Sequence, residues 1–381
     1  MRPRLSTIGG TSLATLMATL LPVTGIAQPR LRVTAQVELT ESYDDNLFPS
    51  PTSPVKQSDF SYRVGPRLGL AYATRSLNVF ARYGREAEAF AFRSELDSAR
   101  ARQEAALDVG WSPGRVLRLE AGALYEDTST ARDLNVVTGL ETGRLPAQRF
   151  STRASASLRL GRLTGLRAEH TFSRDRISGF PTVEAQVASV VLQRRLSGSE
   201  NASMTFSERE FGATGSPTRS HVLTLGWIRQ VTPGVRFEVK AGPRRSDDGT
   251  MGPEVLLGVR GNLGHGDVTF EYTQTEATAV AQRTRLDVQG VSVTLRRQLH
   301  RDVSLSGGPA IFASRDRQSE AIVYRAGAEL EWRLVRRVVL TGSYQWSLQA
   351  GNLAGPALAD IPHNTFSLKL AAGSASRQGG R

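Results

Sequence analysis

The sequence contains no cysteine, so disulfide bonds and thiolate metal sites are excluded. Lysine is nearly absent too: only Lys56, Lys240 and Lys369 occur among 48 basic residues, so almost all positive charge is arginine. Hydrophobic residues make up only 39% of the 381 residues, below the usual fraction for a soluble globular chain. A soluble two-layer fold of this length would need more apolar residues, whereas a wide barrel with a wet interior needs one apolar face per strand.

Long hydrophobic runs are also missing, since no stretch after the N-terminus approaches the length of a transmembrane helix. Near the N-terminus, a short apolar run at residues 13–21 follows a basic segment, and residues 25–27 (Gly-Ile-Ala) fit a small-x-small cleavage site. We therefore expect residues 1–27 to be a secretory signal peptide and Gln28 to begin the mature protein. An exported chain without membrane-spanning helices can enter a membrane only as a barrel.

The formal net charge of +12 raises the question of an anionic partner. The arginines are scattered through alternating segments, without a basic helix or a recognised nucleic-acid-binding motif, which argues against nucleic acid. The arginine codons of a GC-rich genome would explain the excess without any function. The functional interpretation is a positive surface or lumen that attracts anions.

The segment 31–40, LRVTAQVELT, alternates apolar and polar residues. A period of two places successive side chains on opposite faces of a β-strand. The pattern recurs along the chain in about eighteen segments, each near the roughly 9–11 residues that cross a membrane at a tilt. Helical periodicity is nowhere sustained. No blade-like repeat occurs, and the apolar face continues from strand to strand, which argues against a soluble propeller or sandwich array.

The connections between these segments alternate between tight turns and mostly longer polar loops, the longest at about 127–148 and the last at about 350–363. This alternation is typical of outer-membrane barrels, which have short periplasmic turns and longer outer loops. The sequence therefore predicts an all-β, transmembrane, antiparallel up-and-down barrel over residues 28–372, followed by a flexible C-terminal tail at 373–381. The last strand is expected at about 364–372.

Catalytic motifs are missing. The histidines are expected in tight turns (His265 and His300), in a loop (His363), or on the outward face of strands (His170 and His221), and no G-x-S-x-G motif occurs. A hydrolase that acts on polymer or lipid would need a Ser/His/Asp cluster assembled across strands. The sequence favours a protein that is not an enzyme and that needs no cofactor.

Two acidic segments could offer oxygen ligands to calcium, namely 44–46 (Asp-Asp-Asn) and 247–249 (Asp-Asp-Gly). Neither has the alternating D-x-D-x-D-G pattern, and both compositions are typical of turns. We therefore predict no metal site.

Charged residues on the polar face of the strands are the best candidates for contact with a solute. They would either neutralise one another in a solvated lumen or line a channel that hydrogen-bonds a polar solute. The candidates are Arg63, Arg67, Arg118, Glu120, Arg153, Arg159, Arg167, Glu169, Arg236, Lys240, Arg325 and Glu329.

The end of the first predicted strand carries the segment ESYDDNLF at residues 41–48. Its core, Tyr43-Asp44-Asp45-Asn46-Leu47-Phe48, resembles a family of outer-membrane β-barrel porins encoded with exopolysaccharide biosynthesis and PEP-CTERM/exosortase loci. The resemblance implies a barrel in the outer-membrane bilayer through which a polysaccharide passes, with a periplasmic export protein as a further partner. It supplies no catalytic residues. Outer-membrane barrels commonly end on an aromatic residue, whereas Phe366 here lies inside the last strand and a Gly/Ser/Arg tail follows.

The function expected from the sequence is therefore an outer-membrane channel for export of an exopolysaccharide. The alternatives are the hydrolase described above and a structural barrel or adhesin plugged by its own loop, for which the segment 127–148 is the candidate. Adjacent Asp44 and Asp45 would point to opposite faces of a strand, so they are not expected to form a catalytic pair.

Overall fold

The computed structural model describes residues 30–49, 56–135, 137–141, 144–213, 217–278, 285–316, 319–351 and 360–373. The proposed signal peptide and residues 374–381 lie outside the described residues. The alternating segments form β1 (Arg30–Asp44), β2 (Asp59–Ala73), β3 (Leu77–Phe90), β4 (Ser98–Trp111), β5 (Leu117–Thr128), β6 (Ala147–Arg159), β7 (Thr164–Ile177), β8 (Val183–Arg195), β9 (Glu200–Ala213), β10 (Thr218–Thr232), β11 (Val235–Ser246), β12 (Met251–Asn262), β13 (Gly266–Ala277), β14 (Leu286–His300), β15 (Val303–Arg315), β16 (Glu320–Val335), β17 (Val338–Gly351) and β18 (Ile361–Gly373).

The strands form a single closed ring. Each pairs antiparallel with the next along the chain, and β1 pairs with both β2 and β18, so the eighteen-stranded sheet has no free edge. The predicted up-and-down barrel is confirmed. Among the described residues, no helix is long and apolar enough to cross a membrane.

The two faces of each strand differ as the alternation predicts. On β2, Leu68 and Leu70 are exposed on the outside, while Arg63 and Arg67 point into the barrel toward the acids Glu88 and Glu38. Large apolar side chains remain exposed all around the outer surface, which is where lipid would cover them. Outward aromatics stand near both ends of this belt, such as Trp111 and Trp332 toward the short turns and Phe60 and Tyr62 toward the longer loops.

The two rims differ in their connections. One rim has short turns, such as those between β4 and β5 and between β16 and β17, and the other has longer connections. In outer-membrane barrels the short turns face the periplasm, so we call these the turn side and the loop side.

One boundary prediction is wrong. The last strand begins at Ile361 instead of near Asn364, so His363 lies in β18 and not in a loop. The stretch IPHN gives no alternating signal, and its proline suggests a loop. It is nevertheless paired with β17, where Pro362 lies opposite Leu348. Ile361 and His363 are almost fully buried.

The connection from β5 to β6 does not stay at the rim. We call residues 129–146 the bridging loop; they are described except for 136, 142 and 143. After a one-turn 3-10 helix, Ala131–Leu134, the loop reaches Leu140, which packs against Leu286, Val288, Ala321 and Val323. The first two lie on β14, nine places from β5 in the ring of eighteen strands. The bridging loop therefore spans the full diameter of the barrel.

Candidate functional site

The tip of the bridging loop is held by apolar contacts on the far wall. Leu140 is only 4% exposed and joins a buried cluster that includes Phe312 of β15. Gly139 has φ of 66°, and a Cβ there would lie 2.8 Å from the Phe312 ring, so this position requires glycine on both grounds. Arg325 Nη2 donates to the Gly139 carbonyl oxygen at 3.0 Å, which ties one of the twelve charged candidates to the loop.

Polar contacts hold Glu141, the residue after Leu140, against the inner wall. The Glu141 backbone N donates to Gln349 Oε1 at 2.9 Å, and Ser347 Oγ donates to Glu141 Oε1 at 2.7 Å. Both partners lie on β17. The second carboxylate oxygen, Oε2, lies 3.2 Å from His363 Nδ1 and 3.4 Å from Arg132 Nη1. The buried carboxylate of Glu141 is thus contacted on both oxygens, as a buried charge requires.

The loop is also anchored to the near wall. Arg144 Nη2 contacts Glu88 Oε2 on β3 at 2.5 Å and Ser129 Oγ at 3.0 Å, and its guanidinium lies 4.5 Å from the centre of the Phe90 ring. Arg63, another charged candidate, contacts the other oxygen of Glu88 at 2.8 Å. The bridging loop therefore has ionic contacts on β3 as well as on β18.

Asp44 of the YDDN segment belongs to the same network. Its Oδ1 lies 2.7 Å from His363 Nε2 and accepts a hydrogen bond from the Asn46 backbone N at 2.9 Å. His363 is 2% exposed and has Asp44 at one ring nitrogen and Glu141 at the other. The segment at the end of β1 is thereby connected to the bridging loop through a single imidazole.

The next two residues of the segment bind β18 directly. Asp45 Oδ1 accepts from the Asn364 backbone N at 2.6 Å, and Oδ2 accepts from Asn364 Nδ2 at 2.7 Å and from Lys56 Nζ at 2.7 Å. Asn46 Nδ2 donates to the Pro362 carbonyl oxygen at 3.2 Å. Although partial burial raises it, hydrogen bonds from Lys56 and Asn364 hold the pKa of Asp45 below its ordinary value. The YDDN segment therefore fastens the seam where the barrel closes.

The aromatic residues of the segment have other contacts. Tyr43 is paired in register with Phe60 and Phe366, and its ring lies 4.9 Å from that of Phe60. Phe48 lies under the guanidinium of Arg93, 5.9 Å from ring centroid to Cζ. Tyr43, Asp44, Asp45 and Asn46 thus lie at the β18–β1–β2 seam, whereas Phe48 contacts the connection between β3 and β4.

Asp44, Asp45 and His363 also have the spacing of a possible metal site, since one ligand atom from each lies within 4.8 Å of the others. In the described residues these atoms contact Asn364, Lys56 and Glu141. These contacts hold the seam between β1 and β18 together through hydrogen bonds and ion pairs.

Ionisation of Glu141 stabilises the docked loop. Burial raises its pKa, but the hydrogen bond with His363 and the charge of Arg132 outweigh burial and lower the pKa from 4.5 to about 2. A depressed pKa contributes stability that is present above pH 4.5 and is lost as the pH falls toward about 2.

We therefore expect acidification between these two pH values to loosen the bridging loop. Channel conductance in lipid bilayers should rise over that interval, and the Glu141→Gln variant should not show the same rise because its side chain does not titrate. An identical acid response in the wild type and in Glu141→Gln would show that Glu141 is not the group that controls the loop.

Most of the twelve charged candidates occupy inward positions beside an opposite charge. Arg67 contacts Glu38 at 2.9 Å, Arg118 contacts Glu120 at 2.6 Å, Arg167 contacts Glu169 at 3.1 Å, Arg153 contacts Asp108 at 3.5 Å and Arg236 contacts Glu238 at 3.2 Å. Among the described residues, Arg159, Lys240 and Glu329 form no ion pair. Arg118, Arg159 and Arg167 lie around one cavity at the turn side, and the other candidates are distributed around the wall.

The residues at the centre of the site were not among the sequence candidates. Arg132, Glu141 and Arg144 belong to the bridging loop, and His363 was expected in a different loop. One signal was available: at the loop-side end of β14 the apolar residues Leu286 and Val288 occupy the inward face. Apolar residues on the inward face, where polar residues are usual, indicate that an apolar group covers the inner wall there.

Comparison with known proteins supports the fold. No family model matches the sequence, and no curated protein matches it. Among solved structures, Acinetobacter baumannii OccAB4 is similar with 10% identity and a TM-score of 0.51, covering 92% of this chain and all of that one. Pseudomonas aeruginosa OpdL has 11% identity and a TM-score of 0.49, covering 90% of this chain and 99% of that one. The chain is a β-barrel of the bacterial outer membrane.

Because the sequence identities to these structures are only 10% and 11%, the similarity shows the fold alone. Neither of the two histidines expected on outward positions, His170 and His221, enters the lumen: each is exposed on the outer face of its strand. Phe206 stacks with His221 at 6.3 Å between ring centres. The arrangement that a barrel hydrolase would need is therefore not found at either histidine.

Proposed function

We propose that this protein is an outer-membrane channel whose hydrated lumen is constricted by the bridging loop, and that its solute is an exopolysaccharide on its way out of the cell. The main observation in favour of a channel is the charged, polar lining of the inner wall. An eighteen-stranded barrel is wide enough for an aqueous path, and here the wall is lined with paired arginines and acids. The polysaccharide is supported by the resemblance of residues 43–48, and a periplasmic export protein would be its supplier.

The mechanism involves no chemical step. Hydroxyl groups of a sugar chain can exchange hydrogen bonds with guanidinium and carboxylate groups that alternate along the wall, so a polymer moves between many weak contacts of similar strength. Where the charges of the described wall are paired, each contact with the polymer is weak, so the polymer is not held at any one of these pairs. The bridging loop narrows the passage at the loop side.

Purified protein in planar lipid bilayers should conduct ions, because a hydrated lumen that admits a polymer admits small ions too. A native barrel that stays closed under all voltages and salt concentrations would contradict the channel. In cells, deletion of the gene should leave polymer in the periplasm, and normal surface polymer in the deletion strain would contradict the export role.

A second candidate function is a structural barrel closed by its own loop. The anchoring of the bridging loop on β3, β14, β16, β17 and β18 favours it, because several separate attachment points resist displacement. The bilayer measurement separates the two: a structural barrel conducts only after the bridging loop is removed, whereas the channel conducts in its native form.

A further inference from the structure

The turn-side end of the lumen holds a cavity of about 680 Å³ beside the turns of β4–β5, β6–β7 and β8–β9. No aspartate or glutamate lines it, but six arginines do. They are Arg115, Arg118, Arg159, Arg162, Arg167 and Arg195. A recess lined by charge of one sign, and walled by protein, concentrates ions of the opposite sign.

The arginines on the strands face water and not lipid. Arg159 alternates with the exposed apolar residues Leu158 and Leu160, and Arg195 lies in alternation with the exposed Leu192. Arg167 pairs in register with Ser157, two residues before Arg159 on the same inward face. An anionic lipid headgroup would have to enter the lumen to reach them.

Much of this positive charge is not balanced. Two of the six arginines do have acids: Arg118 contacts Glu120 at 2.6 Å, and Arg167 contacts Glu169 at 3.1 Å. Among the described residues, Arg115, Arg159, Arg162 and Arg195 form no ion pair, and Arg195 donates only to the Arg162 carbonyl oxygen at 3.5 Å. The cavity therefore carries a net positive charge, unlike most of the lumen wall.

A second cavity on the same rim provides the contrast. It has a volume of about 460 Å³ near the turns of β10–β11 and β12–β13 and includes Arg236, Arg260 and Asp267. Here each arginine has an acid: Arg236 contacts Glu238 at 3.2 Å and Arg260 contacts Asp267 at 3.5 Å. The two cavities on this rim therefore differ in their charge balance.

The shape of the first cavity suits a polymer. Gly165 is paired with Arg159 on one side and Gln193 on the other, so no side chain fills the inner wall between them. Strands two apart are separated by about 9–10 Å. A Cβ at Gly165 would meet only the Leu158 carbonyl oxygen, at 3.7 Å, so packing does not require glycine there. The result is a trough about as wide as a sugar ring.

We propose that this cavity is a docking site for an anionic polysaccharide bearing carboxylates, which enters the barrel from the turn side. The identity of the polymer rests on the proposed function; the charge and shape of the cavity do not. A guanidinium binds a carboxylate through two parallel hydrogen bonds. Several guanidiniums along one trough favour a ligand with repeated carboxylates over a single small anion.

The test is a binding titration with short oligogalacturonates and the full chain in neutral detergent micelles. The Arg159→Gln, Arg195→Gln double variant should bind about ten-fold or more weakly, because both substituted groups are free to pair with carboxylates. The matched control is Arg236→Gln with Arg260→Gln, which removes the same number of charges from the same rim and should leave the affinity within about two-fold, since those arginines already have acids. Salt should weaken wild-type binding more steeply than binding to the first double variant.

Three results would overturn the proposal. Equal weakening in both double variants would assign binding to the overall positive charge. Inorganic phosphate that binds as tightly as the oligomer would show a site for a small anion only. Displacement of the oligomer by phosphatidylglycerol added to the micelles would show a lipid-headgroup site. If the protein conducts in bilayers but does not bind the oligomer, the docking site is contradicted and the channel is not. If it binds the oligomer but does not conduct, the channel is contradicted and the docking site is not.

Discussion

Removal of the bridging loop is expected to raise single-channel conductance about three-fold or more, because the loop crosses the diameter of the lumen and conductance grows with the cross-section of the aqueous path. The variant replaces residues 130–145 with a short Gly/Ser linker, which joins β5 to β6 at the loop side without entering the barrel. The measurement is single-channel current in planar bilayers at fixed salt and voltage. The same variant should pass larger neutral sugars in liposome-swelling assays.

A matched control replaces residues 94–96, a one-turn 3-10 helix at the same rim with no buried residue, by Gly/Ser. Its conductance should equal that of the wild type. A second variant keeps the loop at full length but weakens its docking: Leu140→Ala should cost about 2–5 kcal/mol of docking free energy because it leaves a cavity in the apolar cluster. Unchanged conductance in a folded, loop-deleted barrel would show that the loop does not limit the passage.

The Asp45→Ala substitution is expected to lower the free energy of unfolding by about 2–4 kcal/mol, because it removes the acceptor of three hydrogen bonds and leaves the Asn364 backbone N without its carboxylate partner. The barrel should still close, since nine residue pairs hold β1 against β18 in register. The measurement is urea unfolding in micelles, followed by tryptophan fluorescence or by the gel shift of the unfolded barrel.

Combining Asp44→Ala with Asp45→Ala should also free His363 and loosen the bridging loop, so this double variant should be both less stable and more conductive. The pair Asp247→Ala with Asp248→Ala is the control: it removes two adjacent acids from the loop between β11 and β12, where Asp248 contacts Arg285 and the Thr250 backbone N. Wild-type stability in Asp45→Ala, or failure of the double variant to insert at all, would contradict this account of the YDDN segment.

The barrel could be predicted because its determinants are local. An alternation of period two, as in residues 31–40, fixes which face of each strand meets lipid, and short connections between consecutive segments force antiparallel neighbours. Those two regularities predict the strand number, the topology and the position of the charged residues on the inner face. The start of β18 at Ile361 was missed for a related reason. Where a loop covers the end of a strand, the side chains there match the loop, so they do not alternate between membrane and lumen.

The destination of the bridging loop could not be predicted, because it depends on contacts that no local pattern records. Glu141 meets Ser347 and His363, which are 206 and 222 positions away. Asp44 meets the same histidine at a separation of 319 positions. A sequence read strand by strand shows two acids in a turn and a polar loop, and only closure of the ring brings them to one imidazole.

These separations also have a consequence for assembly. The binding surface for the tip of the bridging loop is made of β14, β16 and β17, so it does not exist when the first hairpins have formed. Contacts between distant positions form late, because the entropy of ordering the intervening chain must be lost first. Throughout insertion the lumen would therefore stand open. The tip would dock once β17 is in place, and the contacts of Glu141 and Asp44 with His363 would form only when β18 has met β1.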